Sequence, residues 1–349
     1  MKKLINIWAD NRLLISVIFL VIAIIYPFAL TKFYFINIGI QTLLYSLLSL
    51  GLNVIMGYTG IAVLGMAAFM GIGAYTAAIV MTRLGFSFIP AMLAGVAISF
   101  LAGMLIGMPT LRIKGNYIAM VTLGFGEIAR IIELNWINLT GGPFGIKKIP
   151  QPTIFGISTI FGYPLSKPTS KYFIILLFLV ISIILVQNLL NSRHGRALQA
   201  IKNDEIAAQA MGINVFHYKL MGFAIAASLA GFAGAFFASY INYIDSSTFS
   251  FGQSIQILSM TIMGGLGSIP GSIAGAAFFV VLPEFLRWLG TFVGEWVVQW
   301  RLVLYGILLI LVIMYKPAGL LGGFDLNQIH LFNGLQRKKD MNVDKELAE

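Results

Sequence analysis

Long apolar segments separated by short polar ones dominate the pattern of this chain. Many of these segments approach or exceed the roughly 20 residues that an α-helix needs to cross a bilayer. The pattern therefore predicts an all-α, polytopic membrane protein with about ten transmembrane helices. In chain order the predicted spans cover residues 13–30, 36–56, 61–82, 88–108, 117–137, 172–190, 215–243, a segment that begins at 252–263, then 272–289 and 302–315.

The span that begins at residue 252 is interrupted by a segment rich in glycine. Four glycines and one proline within eight residues cannot continue a regular helix, because proline lacks a backbone donor and clashes with the preceding turn. At least one helix of the bundle is therefore expected to be broken. The residues predicted to form this break are Gly264, Gly265, Gly267, Pro270 and Gly271.

Small side chains recur at every fourth position of the predicted seventh span. Residues four apart lie on one face of a helix, and small residues let helices approach closely in lipid. The pattern predicts that another helix packs very close to this face. One row holds Gly222, Ala226, Ala230, Gly234 and Ala238, and its neighbour holds Ala227, Gly231, Ala235 and Ser239.

The fifth span contains three charged residues, Glu127, Arg130 and Glu133, at spacings of three. An ionised side chain in the middle of a bilayer costs at least about 2.5 kcal/mol, so these residues are expected to face the interior of the bundle. Glu127 can pair with Arg130 one helical turn away. Two interpretations stay open: a structural ion pair, or a position that lines a translocation path.

Residues 192–215 form a long polar stretch in a chain that is otherwise mostly apolar. The stretch can be divided into two short helices, the first over residues 196–202. Asn203 or Asp204 can cap the second helix by accepting hydrogen bonds from its free backbone N–H groups. Gly212 can end that helix, since glycine tolerates the left-handed conformation.

The second of these helices offers small or flexible apolar side chains, Ala207, Ala208 and Met211, beside charged residues. A partner protein could dock on this face. A solvated cytoplasmic loop between two spans would have the same composition, because positively charged loops are the rule on that side of the membrane.

Composition supports the membrane assignment: hydrophobic residues make up 58% of the chain, charged residues 10%, and the mean hydropathy is +0.89. The net charge of +10 is explained by lysine and arginine in cytoplasmic loops, so no nucleic-acid partner is inferred. The chain has no cysteine and three scattered histidines. It therefore offers no disulfide framework, thiol nucleophile or cysteine metal site, and no cofactor is expected.

The distribution of lysine and arginine sets the expected orientation. We expect a transmembrane domain over residues 1–323 and a basic tail, 324–349, with both termini in the cytoplasm. Residues 192–215 would then lie inside and residues 138–171 outside. Prolines and glycines in this external segment suggest an ordered loop with turns.

Six sequence segments together resemble LivM-type permeases of bacterial branched-chain amino acid ABC importers. The resemblance covers nearly the whole length of the chain. Met66 departs from it, since many relatives carry histidine in that segment. The segments are GLNVIMGYTGIAVLGMAAFMGIGAYTAA (51–78), TLRIKGNYIAMVTLGFGEIARI (110–131), LTGGPFGI (139–146), GRALQAIKNDEIAAQAMGINVFHYKL (195–220), ILSMTIMGGLGSIPGSIAGA (257–276) and YKPAGLLGG (315–323).

The resemblance implies a permease subunit for ATP-driven uptake, in the bacterial inner membrane. It also implies its partners: a second permease that forms a heterodimer with this chain, two ATP-binding subunits on the cytoplasmic side, and an extracytoplasmic binding protein. The polar stretch would be the loop that inserts into the ATPase. Its usual Glu-Ala-Ala pattern is shifted, because Ile206 holds the glutamate position. The coupling residues implied are Arg196, Asp204, Glu205, Ala207, Ala208, Met211 and Gly212.

Other functions are compatible with parts of the sequence. The same family includes permeases for urea and short amides. A secondary transporter driven by an ion gradient would need an ion site, for which Glu127 is the strongest candidate. No Walker A sequence and no nucleophile–base spacing is present, so the chain itself is not expected to be an enzyme.

Overall fold

In the computed structural model of the chain, the structure describes residues 12–30, 32–113, 115, 117–152, 159–160, 163–164 and 167–293, with residues 306, 307, 310, 314, 315 and 319. Helices dominate this part of the chain. They are α1 (Arg12–Ala29), α2 (Phe33–Thr59), α3 (Met66–Arg83), α4 (Phe88–Thr110), α5 (Tyr117–Asn135), α6 (Ile137–Thr140), α7 (Pro168–Asn191), α8 (Arg193–Asn203), α9 (Glu205–Ala210), α10 (Val215–Ile241), α11 (Phe251–Gly264) and α12 (Ile269–Val293).

Six helices of the described part are long and apolar enough to cross a membrane. The charged helix α5 and the 14-residue helix α11 are not among them. The predicted total of about ten spans, the cytoplasmic termini and the boundary at residue 323 stay predictions, because much of both ends lies outside the described residues. The six are α2, α3, α4, α7, α10 and the Ile269–Arg287 part of α12.

Helix α10 packs against α2, α3 and α4 at the centre of the bundle. Glycines on its neighbours allow close approach: a Cβ atom at Gly103 would lie 2.6 Å from the Cβ of Ala227. A Cβ at Gly95 of α4 would lie 2.8 Å from the carbonyl oxygen of Gly73 on α3. The predicted close packing of the small-residue face is confirmed, and it follows from van der Waals contact between backbones.

Short strands form in the loops that connect the helices. Four two-residue strands form here: β1 (Ile146–Lys147) pairs antiparallel with β4 (Tyr243–Ile244), and β2 (Thr159–Ile160) with β3 (Tyr163–Pro164). The Asn242 amide, in a left-handed turn (φ 63°) that ends α10, donates to the Ile149 carbonyl over 2.8 Å. The described part of residues 138–171 therefore contains short helical turns and paired strands, and its predicted place outside the membrane stays a prediction.

The chain between α2 and α3 is not helical. Gly60 ends α2 in the left-handed conformation (φ 75°), and residues 61–65 follow without helical structure. Side chains from other helices bond this backbone: Leu64 N–H donates to the hydroxyl of Thr122 over 3.0 Å. Ala67 N–H, in the first turn of α3, donates to the hydroxyl of Ser254 over 3.1 Å. Non-helical backbone is tolerated in a membrane protein when protein groups satisfy it in this way.

A second non-helical segment, residues 265–268, separates α11 from α12. Gly265 and Gly267 have φ values of 124° and 85°, which favour glycine. The side-chain amide of Asn53 on α2 bonds this region through both its nitrogen and its oxygen. Its Nδ2 donates to the Ser268 carbonyl (2.9 Å) and the Ser272 hydroxyl (2.7 Å), and its Oδ1 accepts from Gly267 N–H (2.7 Å).

We predict that Asn53→Leu destabilises the fold. Asn53 is fully buried, and the substitution removes the acceptor of the Gly267 N–H, at about 1–3 kcal/mol for a buried group left unbonded. The Ser268 carbonyl keeps the Ser272 N–H as a donor over 3.1 Å, so its loss adds less. Thermal unfolding of the detergent-purified protein should therefore occur at a clearly lower temperature. Asn135→Ala is the matched control, because among the described residues the exposed Asn135 amide bonds the Ile131 carbonyl of its own helix. Equal unfolding temperatures for the two variants would contradict the role of Asn53.

Candidate coupling and translocation sites

The polar stretch forms two short helices, α8 and α9, as predicted. Ser192 caps α8 by accepting from His194 N–H, over 3.1 Å. Asp204, not Asn203, caps α9: its Oδ1 accepts from Ile206 N–H at 2.9 Å and from Ala207 N–H at 3.0 Å. Gly212 follows α9 with φ of 79°, a value that suits glycine.

Both helices are fixed to the membrane bundle by apolar contacts. Leu198 of α8 is fully buried and packs with Val54 and Tyr58 of α2. Ala208 of α9 packs with Ile201 of α8 and with Val215 at the start of α10. The stretch is therefore a packed structural unit rather than a loose loop.

The exposed face of α9 differs from the predicted one. Ala208 is only 4% exposed, so its side chain contacts this chain and offers little surface to a partner. Ala207 is exposed, and Ile206 and Met211 are 81% and 82% exposed. Sequence reasoning missed Ile206, since it was considered only as the residue at the glutamate position. The face a residue occupies in so short a helix depends on which side packs against α8 and α10.

The charged candidates of this stretch bond mainly within the chain. Glu205 Oε2 accepts from the Lys219 ammonium over 2.6 Å, which joins α9 to the first turns of α10. Arg196 is exposed, and its Nη1 donates to the Asn191 carbonyl over 3.1 Å.

Glu127 and Arg130 are paired on α5. The Arg130 Nε donates to Glu127 Oε1 over 2.9 Å, and its Nη2 donates to the same oxygen. The side chains of Arg130 and Glu127 are 27% and 41% exposed, so the pair lies at the surface of this chain, not in its interior as the sequence suggested. Mutual pairing lowers the cost of ionised groups outside water, which explains why this face of α5 need not turn inward.

Glu133 is the acidic residue of α5 that faces the bundle. Its side chain is 6% exposed, and neither carboxylate oxygen has a hydrogen-bond partner among the described residues. Sequence reasoning noted Glu133 but did not select it as a site residue. The available signal was its spacing: six residues at about 100° each place it roughly 120° around the helix from Glu127.

The glycine-rich break lies against other parts of the chain. Pro270 is in the first turn of α12, where proline is tolerated because the N–H there has no helical partner. A Cβ at Gly271 would lie 2.7 Å from the Gly264 carbonyl oxygen. A Cβ at Gly319 would lie 2.5 Å from the Gly265 Cα, so two glycines permit this approach.

No group of three or more His, Cys, Asp or Glu residues within the described ranges is placed to hold a metal ion.

The comparisons with known proteins assign the family. A family model described as "Branched-chain amino acid transport system / permease component" matches residues 34–313. This chain belongs to that family of permeases. The permease is 36% identical over 319 residues to the "High-affinity branched-chain amino acid transport system permease protein LivM" of Salmonella typhimurium, covering 86% of this chain and 73% of the relative.

A second relative is equally similar to the permease. The protein of the same description from Escherichia coli (strain K12) is 36% identical over 325 residues, covering 88% of this chain and 74% of the relative. Among solved structures, "PsaBC from Streptococcus pneumoniae in complex with Fab" matches with a TM-score of 0.42 and 16% identity, covering 86% of this chain and 95% of that chain.

We predict that neutralising one member of the Glu127–Arg130 pair is worse than neutralising both. Glu127→Gln leaves the Arg130 guanidinium without its partner, whereas the double change with Arg130→Gln leaves no orphaned charge. For a partly exposed pair the difference should be about 1 kcal/mol of unfolding free energy. Thermal unfolding and the amount of protein in isolated membranes measure it. A double variant whose loss equals the sum of the two single losses would refute the pairing.

Proposed function

We propose that this permease is one transmembrane subunit of an ATP-driven importer for branched-chain amino acids. Its membership of the branched-chain amino acid transport permease family carries the proposal. Six described helices long and apolar enough to cross a membrane support a multi-pass protein. ATP hydrolysis would occur on two separate subunits, since this sequence has no Walker A motif.

The complete importer would contain further subunits. A second permease would form a heterodimer with this chain in the bacterial inner membrane, and an extracytoplasmic protein would deliver the substrate. The large exposed apolar side chains of α4 and α5, such as Leu105 and Met120 (both 69% exposed), would face lipid or the second permease.

The helices α8 and α9 would dock on an ATP-binding subunit. Exposed apolar residues beside charged ones mark protein interaction sites, and Ile206 and Met211 supply them here. The docking surface, defined here as Ile206, Ala207 and Met211, is continuous with a packed unit. Ala208, Ile201 and Val215 connect it to α10, which crosses the bundle. A displacement of the docking surface would therefore be transmitted to α10 through direct packing.

We predict that Met211→Asp and Ile206→Asp each weaken ATPase association about ten-fold. Each change replaces an apolar contact residue by a charged one, and a few such contact residues supply most of the binding energy of an interface. Neither should destabilise the isolated permease, since both side chains are more than four-fifths exposed. Co-purification with the ATP-binding subunits, and ATP-dependent uptake of labelled leucine, isoleucine and valine by proteoliposomes with all subunits, measure the effect.

Two further variants make this docking test specific. Gln209→Ala changes an exposed polar residue of the same helix and should leave assembly and uptake unchanged. Ala208→Trp should lower the stability of the permease itself by about 1–3 kcal/mol through overpacking. Normal assembly and uptake in both aspartate variants would show that α9 is not the docking element. If the unaltered importer takes up none of the three amino acids, the proposed substrate class is refuted.

We predict that Arg196 faces the cytoplasm and Lys148 the outside, as the distribution of positive charge indicates. Single cysteine substitutions test this cleanly because the chain contains no cysteine. In intact cells a membrane-impermeant thiol reagent should label Lys148→Cys and leave Arg196→Cys unlabelled until the membrane is opened. Labelling of residue 196 from outside would reverse the orientation. Lys338, also predicted inside, lies outside the described residues.

A further inference from the structure

Glu133 on α5 and Tyr75 on α3 share an unusual property. Glu133 is 6% exposed and Tyr75 is 4% exposed. Among the described residues, both carboxylate oxygens of Glu133 and the hydroxyl of Tyr75 are the buried side-chain polar atoms that have no hydrogen-bond partner. Buried polar groups in folded proteins are nearly always bonded, so an exception calls for an explanation such as an absent ligand.

The two side chains belong to one cluster with Gly71 and Phe249. A Cβ at Gly71 would lie 2.6 Å from Glu133 Oε1 and 3.0 Å from the Phe249 ring, so the carboxylate lies directly against the glycine. Tyr75 is one helical turn beyond Gly71 on α3, and its ring centroid is 6.0 Å from that of Phe249. A carboxylate, a phenolic hydroxyl and two aromatic rings therefore meet in one place.

No positively charged side chain in the described part of the chain hydrogen-bonds this cluster. Arg130 lies within electrostatic range of Glu133, but its guanidinium hydrogen-bonds Glu127. The nearby carboxylate of Asp245 accepts from the hydroxyls of Ser247 and Thr248. The Glu133 carboxyl therefore has no described cationic partner, and its ionised form, enclosed in this way, would cost several kcal/mol.

We propose that Glu133, Tyr75 and the Phe249 ring form a binding site for a monovalent cationic group. A primary ammonium fits this chemistry best. The carboxylate and the phenolic oxygen can accept its hydrogen bonds, and aromatic ring faces attract cations. A divalent ion such as Ca²⁺ would need six or more oxygen ligands, and this cluster supplies three side-chain oxygens.

The cluster lies near the ends of its helices, since Glu133 is in the last turn of α5 and Phe249 lies between β4 and α11. Low exposure means that the site is closed here, and a ligand would enter when α3, α5 and the turn before α11 separate. The ammonium could belong to the transported amino acid, an assignment that rests on the proposed function. A free alkali-metal cation offers the same charge from a different source.

The decisive variant is Glu133→Gln, which keeps the size of the side chain and removes its charge. In proteoliposomes with the complete importer, the leucine concentration for half-maximal uptake should rise about ten-fold or more, as expected for a lost hydrogen bond to a charged group. Tyr75→Phe should cause a smaller rise. Glu284→Gln is the matched control, since that carboxylate already bonds Tyr34 and Arg287, and it should leave the half-maximal concentration unchanged.

Thermal unfolding of the purified permease identifies the source of the cation without requiring transport. Replacing Na⁺ and K⁺ by N-methylglucamine should lower the unfolding temperature of the unaltered protein, and not of Glu133→Gln, if a free alkali cation occupies the site. The site is assigned to the substrate ammonium if the unfolding temperature does not depend on the alkali cation and Glu133→Gln still raises the leucine concentration for half-maximal uptake. If Glu133→Gln changes neither measurement, the carboxyl is a neutral core group and the proposal is overturned.

A steric variant separates the loss of the site from the loss of charge. Gly71→Ala places a methyl group against Glu133 Oε1 and should raise the half-maximal leucine concentration, as Glu133→Gln does. Adding Glu133→Asp shortens the acid and should restore part of the loss. If the unaltered importer does not transport leucine, the proposed function is refuted. The cation site would still be established if alkali cations stabilise the unaltered permease and do not stabilise Glu133→Gln.

Discussion

Backbone polar groups inside a membrane protein must be bonded by protein, because lipid offers no partner. Two non-helical segments, residues 61–65 and 265–268, place this demand on the described part of the bundle. Thr122 and Ser254 bond the first segment and the start of α3, and Asn53 bonds the second. Since these side chains come from α5, α11 and α2, satisfying the backbone also fixes the positions of α2, α3, α5, α11 and α12 relative to one another. The rest of the packing is built on that arrangement.

Helix α10 connects this bundle to both faces of the protein. Its small residues allow contact with the backbones of α3 and α4 at the centre. At one end Val215 packs with the two short helices that would meet the ATP-binding subunit, and Lys219 bonds Glu205. At the other end Asn242 and β4 bond residues 146–149, in the loop before α7. A movement at one end of α10 would therefore reach the other end through the helix itself and its packed neighbours, and would not need a series of charged residues.

The three charged residues of α5 show how similar sequence signals acquire different roles. Glu127 and Arg130 neutralise each other at the surface of the chain. Glu133, about 120° around the helix, is enclosed by α3 and the turn before α11, where no described cation bonds it. Because an isolated buried charge is costly, Glu133 is a stronger candidate for a binding role than the Glu127–Arg130 pair, which the sequence pattern had singled out.

The sequence determined the helical membrane class, the close packing of α10 and the interruption near Gly264, because each depends on composition or on neighbours within a few residues. It left the cap of α9 open between Asn203 and Asp204, and the structure decided for Asp204. It did not determine which side of α5 or α9 turns inward, so the burial of Ala208 and the exposure of Ile206 were not foreseen. It also gave no sign that Asn53 bonds Gly267, 214 positions away. Such contacts are decided by tertiary packing, since helical periodicity defines faces but not which neighbour each face meets.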